Sequence, residues 1–184
     1  ESYSDNSTHK NVLLFCISIL PNGNAIYSSY GDNEGFECKG ILSVEPGTKY
    51  VFHKLECKKE RLDRIIIVAS KAALEPSKEE CWLGKTAIDV YEEEINKYLS
   101  DKKYKYQYQY LTRVNSIDDN NNTGLPVEIV EFDDGESLND LMKVVNLDLF
   151  NTDNDKDENI HLYVDTQGGY RNWIVQHDAL IGIL

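Results

Sequence analysis

The chain alternates short, nearly continuous apolar runs with longer stretches in which apolar residues recur at helical spacing. Asn11-Val12-Leu13-Leu14-Phe15-Cys16-Ile17-Ser18-Ile19 is the first run, and its continuity predicts a strand buried on both faces. It breaks at Leu20-Pro21-Asn22-Gly23-Asn24, a turn by composition. Arg64–Ala69 repeats the pattern and delivers Ser70-Lys71 to its end, and Pro126–Phe132 is a third run. The fourth, Ile160–Asp165, opens into Thr166-Gln167-Gly168-Gly169-Tyr170-Arg171 and then a further apolar stretch, read as strand, loop and helix.

Between the strands the period changes. Ser77 and Glu80 have capping-box spacing, and Ile88, Tyr91, Ile95 and Tyr98 mark one face of a long helix running to Ser100. Ser137 is the expected cap of another, with Leu138, Leu141, Val145 and Leu149 on its apolar face. Ala25 to Leu55 mixes tyrosines, short apolar pieces and Gly31, Gly35, Gly40 and Gly47, and predicts short hairpin-like strands or loops. Tyr104 to Tyr110 alternates strictly, as a strand with one aromatic face does. That face suits packing on a helix or a partner, and tyrosine favours strands in any case. Residues 115–124 and 151–159 are polar surface loops by composition.

Strands alternating with helices of this length predict an α/β fold, a Rossmann-like three-layer sandwich with a mainly parallel central sheet. Residues 1–10 read as a disordered N-terminal segment and 11–184 as one domain.

Composition narrows the function classes. A formal charge of −13 argues against a general nucleic-acid binder, so an anionic ligand has to be met by backbone amides, helix N-termini and a few basic side chains. Cys16, Cys38, Cys57 and Cys81 are far apart and show no zinc spacing, which predicts reduced, structural thiols in a cytoplasmic protein. No apolar run reaches the roughly 20 residues that span a bilayer. The chain starts at Glu1 and ends on the apolar Ala179–Leu184, which reads as a helix lacking its next element. That ending leaves two readings open, a piece lacking a tag, an anchor or a further domain, and a stand-alone chain.

The main chemical signal is Asp165 to Arg171. The amides of Gln167, Gly168, Gly169 and Tyr170 can surround an anion at a helix start, with Arg171 adding a fixed charge. The bland reading is a strand-to-helix turn that needs glycine. Two glycines, an acid and an arginine coincide at the ligand edge of the sheet, which favours a site. Asp153-Asn154-Asp155-Lys156-Asp157 imitates the start of a calcium loop, but Glu158 stands where glycine is needed and Val164 where the bidentate acid is needed. No metal site and no cofactor are expected. Arg171 and His177 have the spacing of HEPN-type ribonuclease pairs yet do not share a helix face. His53 and His161 fall in strand-like segments and take structural roles. Walker, Gly-x-Gly-x-x-Gly and Gly-x-Ser-x-Gly patterns are missing from the sequence.

Three stretches resemble the CRISPR-associated Rossmann-fold (CARF) sensors, in particular the branch named for a DxTHG motif. Val12–Tyr30 is similar to that family's opening strand, Gly-Asn loop and following tyrosines. Arg64–Lys71 is similar to its second motif, and Asp165–Arg171 aligns with Asp-x-Thr-His-Gly-Phe-Arg, with Gln167 in place of the threonine and Gly168 in place of the histidine. The resemblance implies a homodimer that binds a cyclic oligoadenylate across its two-fold axis in type III CRISPR antiviral defence, with cyclic tetra-adenylate favoured over hexa-adenylate. It implies ligand contacts from Ser18, Leu20, Pro21, Asn22, Gly23, Asn24, Ser70, Lys71, Asp165, Thr166, Gln167, Gly168, Gly169, Tyr170 and Arg171. Phosphates would accept from amides and Arg171, and adenines would stack on tyrosines or bond to Asn22 and Asn24. A ring nuclease using Ser18, Lys71 and Arg171, and an unrelated Rossmann-like domain binding one mononucleotide per protomer, are the rival readings.

Overall fold

The computed structural model describes residues 9–114, 124–132 and 159–165. Five strands, β1 (His9–Ile17), β4 (Arg64–Ala69), β5 (Leu111–Arg113), β6 (Leu125–Glu131) and β7 (Asn159–Asp165), form one sheet in the order β5-β6-β4-β1-β7. All pairings in it are parallel. A separate antiparallel hairpin, β2 (Ser28–Gly31) with β3 (Glu37–Gly40), lies between β1 and helix α1 (Glu45–Cys57). Helix α2 (Ala87–Lys102) follows β4, after two 3-10 turns at Lys71–Leu74 and Glu80–Trp82.

The sheet is covered on both sides. Leu13, Phe15 and Ile17 of β1 and Ile65, Ile67 and Ala69 of β4 point into a cluster with Phe52 and Leu55 of α1 and Ile88, Tyr91, Ile95 and Leu99 of α2. The alternate residues Val12, Leu14, Cys16, Ile66 and Val68 pack into a second cluster with Val130 and Phe132. Leu14 and Ile66 are fully buried there, so the central strands are apolar on both faces, as a Rossmann-like α/β sandwich requires. Burial pushes the Cys16 thiol up to about 12, which makes it an inert core residue. All four cysteines are free.

Several sequence expectations are corrected. The first strand starts at His9, inside the segment expected to be disordered, and ends at Ile17 rather than Ile19. The region expected to hold only hairpins or loops contains α1, so His53 is helical and stacks on Phe36 at 5.1 Å. The capping box belongs to Thr86 and Asp89, not to Ser77 and Glu80, and α2 starts nine residues later than that pair implied. Tyr104 to Tyr110 is not a strand. There, Gln107 is buried and uses its side chain on the backbone of the preceding helix–strand connection, accepting from Leu62 N at 3.0 Å and donating to Glu60 O at 3.0 Å. Tyr104 meets Tyr98 at 2.9 Å between hydroxyls, and Tyr108 lies under the Arg61 guanidinium, so these tyrosines pack within the chain. The helix expected from Ser137, the acidic stretch 151–158, the loop from Thr166 to Arg171 and the last helix lie outside the described residues. No helix among the described residues is long and apolar enough to cross a membrane.

Candidate functional site

Taken in chain order, the four long strands have the spatial arrangement third, second, first, fourth. In an open parallel sheet with that order, the chain changes direction between the first and fourth strands, and the crevice beyond their carboxyl ends is where such sheets take ligands. Here that switch point is between β1 and β7.

Register fixes what meets there. Ile17 pairs with Ala69, so Ser18 and Ser70 leave the sheet at the same level from neighbouring strands. Phe15 pairs with Asp165, which ends β7 two residues below that level. The loop after β1 and the last residue of β7 are therefore at the same edge of the sheet. Ser18 is exposed, Leu20 is half-buried, and Pro21, Asn22, Gly23 and Asn24 are all exposed. Gly23 has φ of 81°, a left-handed conformation that glycine takes without steric cost. The Ser70 hydroxyl caps the 3-10 turn after β4 by accepting from Ala73 N at 3.3 Å, and Lys71 is exposed on its first position. Thr166, Gln167, Gly168, Gly169, Tyr170 and Arg171 lie outside the described residues.

Asp165 is only 9% exposed and packs against the first turn of α1 at Gly47. Beside it, the Tyr91 hydroxyl bonds Thr48 Oγ1 at 2.8 Å, and burial, with Asp165 and Glu45 adding to it, raises the phenol well above its ordinary value. The same turn holds the fully buried Glu45, whose Oε2 accepts from Ile41 N at 2.7 Å and Leu42 N at 2.6 Å. Buried Lys49 meets Glu45 Oε1 at 3.3 Å and also donates to the Lys39 carbonyl. Two of the chain's own carboxylates thus already face the positive end of α1. That helix end is therefore already occupied by the chain's own acids.

Sequence reasoning missed Gly47, Thr48 and Tyr91 as the wall behind Asp165. The signal was available in Glu45-Pro46-Gly47, since an acid and a proline in a first turn mark a helix start. It also missed Cys81 and Trp82, which reach across to the β1 loop: Trp82 Nε1 donates to Pro21 O at 3.0 Å and the Cys81 thiol to Gly23 O. Two cavities, of about 380 and 450 Å3, flank the β2–β3 hairpin on either side of Lys39 and are separate from the strand ends. No cluster of three His, Cys, Asp or Glu side chains able to hold a metal forms among the described residues.

Neither a family model, nor a curated protein, nor a solved structure matches this chain.

Proposed function

We propose that this chain is a sensor domain that binds a cyclic oligoadenylate, with cyclic tetra-adenylate preferred, at the carboxyl edge between β1 and β7, two protomers sharing one ring. The supporting observation is the pairing of β1 with β7 through Phe15 and Asp165, which brings the polar loop Ser18–Asn24 to the same edge of the sheet as Asp165, the residue that opens the Asp165–Arg171 stretch in sequence. These are the stretches that resemble the CARF sensors. A ring with rotational symmetry can present equal halves to two copies of that edge. Exposed Asn22, Asn24 and Lys71 offer side-chain donors on a chain whose overall charge of −13 would otherwise repel it. Binding regulates an effector to the extent that the ring prefers one dimer arrangement over another.

Calorimetric titration with cyclic tetra- and hexa-adenylate tests this, with the products separated by chromatography afterwards. One intact ring per two chains is the expected result. Absence of binding to either ring overturns the reading, one mononucleotide per chain replaces it with an unrelated nucleotide-binding domain, and linear product replaces it with a ring nuclease.

A further inference from the structure

We propose that Cys81 and Trp82 form a two-point clamp that sets the shape of the Pro21–Asn24 loop and, through it, the affinity of the site. The inference rests on the functional reading above for its second half only. Trp82 is 6% exposed and belongs to the core cluster, yet its one polar atom donates to the Pro21 carbonyl. The adjacent Cys81 is exposed and its thiol meets the carbonyl two residues further along the same loop, at Gly23. Two neighbouring side chains therefore grip alternate carbonyls of a segment some sixty positions earlier in sequence.

The clamp is itself rigid. Ser77 N donates to Lys85 O at 2.8 Å and Gly84 N to Ser77 O at 3.0 Å, closing 77–85 into a compact loop, while Trp82 N donates to Glu79 O at 3.0 Å and Lys85 N to Trp82 O at 2.8 Å. Gly84 turns with φ of 80°. The gripped segment is its opposite: Pro21 through Asn24 are exposed, and Gly23 adds backbone freedom. An exposed segment of this kind takes its shape from what holds its polar backbone, and a ligand that needs one shape binds more weakly when that shape is a fraction of the population. Cys81 and Trp82 are positioning residues here and need not touch the ligand.

The test uses the full chain with Trp82→Phe, which keeps an aromatic ring and removes the N–H, and with Cys81→Ala and Cys81→Ser at the exposed position. Amide hydrogen exchange at 22–26 is read without ligand, and calorimetry with cyclic tetra-adenylate is read beside it. Expected are exchange several-fold faster in that segment for Trp82→Phe and Cys81→Ala, with partial rescue by Cys81→Ser. Affinity should fall about three- to tenfold for each of the two loosening variants, as loss of one hydrogen bond predicts. Unchanged exchange in both loosening variants overturns the clamp. Faster exchange with unchanged affinity overturns its link to binding, and a wild-type chain that binds no ring overturns the functional reading while exchange still decides the clamp.

Discussion

Gly47 and Asp165 are packed so closely that no side chain fits between them: a Cβ built on Gly47 would lie 2.7 Å from the Asp165 Cγ and 3.3 Å from its Cβ, and closer still to Oδ2. The last residue of β7 thus rests on the first turn of α1. In an ordinary helix position, alanine stabilises relative to glycine by about 1 kcal/mol. Gly47→Ala should do the reverse, destabilising by about 1–3 kcal/mol because the carboxylate or the helix has to shift. Adding Asp165→Ala should recover part of that loss, so that the two changes are coupled in thermal or urea unfolding. A Gly47→Ala protein as stable as wild type would show that the contact gives way without cost.

This contact also shows why part of the fold was legible and part was not. β1 and β4 could be read directly, because strands buried on both faces must be continuously apolar. α1 could not. Its buried side includes Glu45, Thr48 and Lys49 among Val51, Phe52 and Leu55, so polar residues satisfied by one another interrupt the stripe that would announce a helix. Thr86 and Asp89 form the working capping box where Ser77 and Glu80 had equal claim by spacing, since Ser77 instead accepts from Glu79 N at 3.1 Å within its own loop. The Tyr104–Tyr110 alternation matched a strand, but the position that decides its path is Gln107, whose amide replaces a missing backbone partner at Leu62 and Glu60. The edge carrying Ser18–Asn24, Ser70 and Asp165 was legible because small polar residues directly follow apolar runs. What grips that edge, Trp82 and Cys81, was not, because it depends on contacts across some sixty residues.

Glu45 is a structural carboxylate and should behave as one. It is fully buried, satisfies two backbone amides in the turn before α1 and neutralises Lys49, whose side chain is 6% exposed. Glu45→Ala leaves a buried cation and two amides unmatched, and a loss of about 3–5 kcal/mol in urea unfolding is expected. Replacing both residues, Glu45→Gln with Lys49→Met, should cost less than Glu45→Ala alone. A larger cost for the double variant would assign the stability to the ion pair itself.

Acid sensitivity should trace in part to Asp89. Burial raises its pKa, but hydrogen bonds from Thr86 and Arg113 and the guanidinium charge outweigh it, and the carboxyl is held below its ordinary value of 3.8. Arg113 Nη2 donates to Asp89 Oδ1 at 2.7 Å. A depressed carboxyl pKa means that the unfolded chain binds more protons than the folded one over the acid range. The stability it supplies is complete above the unfolded value, about 3.9, and is lost as pH falls through the lower folded value. Asp89→Asn should therefore flatten the fall of the melting midpoint below about pH 4, with less difference from wild type at the acid end than at neutral pH. Curves that stay parallel to the lowest pH would remove Asp89 from the acid response.

The two ends of the sheet should separate function from scaffold. His161 is near the start of β7 and stacks on His9 at 3.8 Å, with His9 Nε2 3.1 Å from Glu60 Oε2. Four residues of strand separate it from Asp165, about 13 Å at 3.3 Å per residue. Because every strand of the sheet runs the same way, that histidine pair and the Ser18–Asn24 loop are at opposite edges. If the ring binds at the carboxyl edge, Asn22→Ala should weaken it about three- to tenfold through lost side-chain hydrogen bonding. His161→Ala should leave affinity unchanged while lowering the melting midpoint through loss of the stacked pair. Lys71→Ala should weaken binding and reduce its dependence on salt, since an exposed cation acts on phosphate through a screened charge. Loss of affinity in His161→Ala with none in Asn22→Ala or Lys71→Ala would move the site to the amino edge and take the switch-point argument with it.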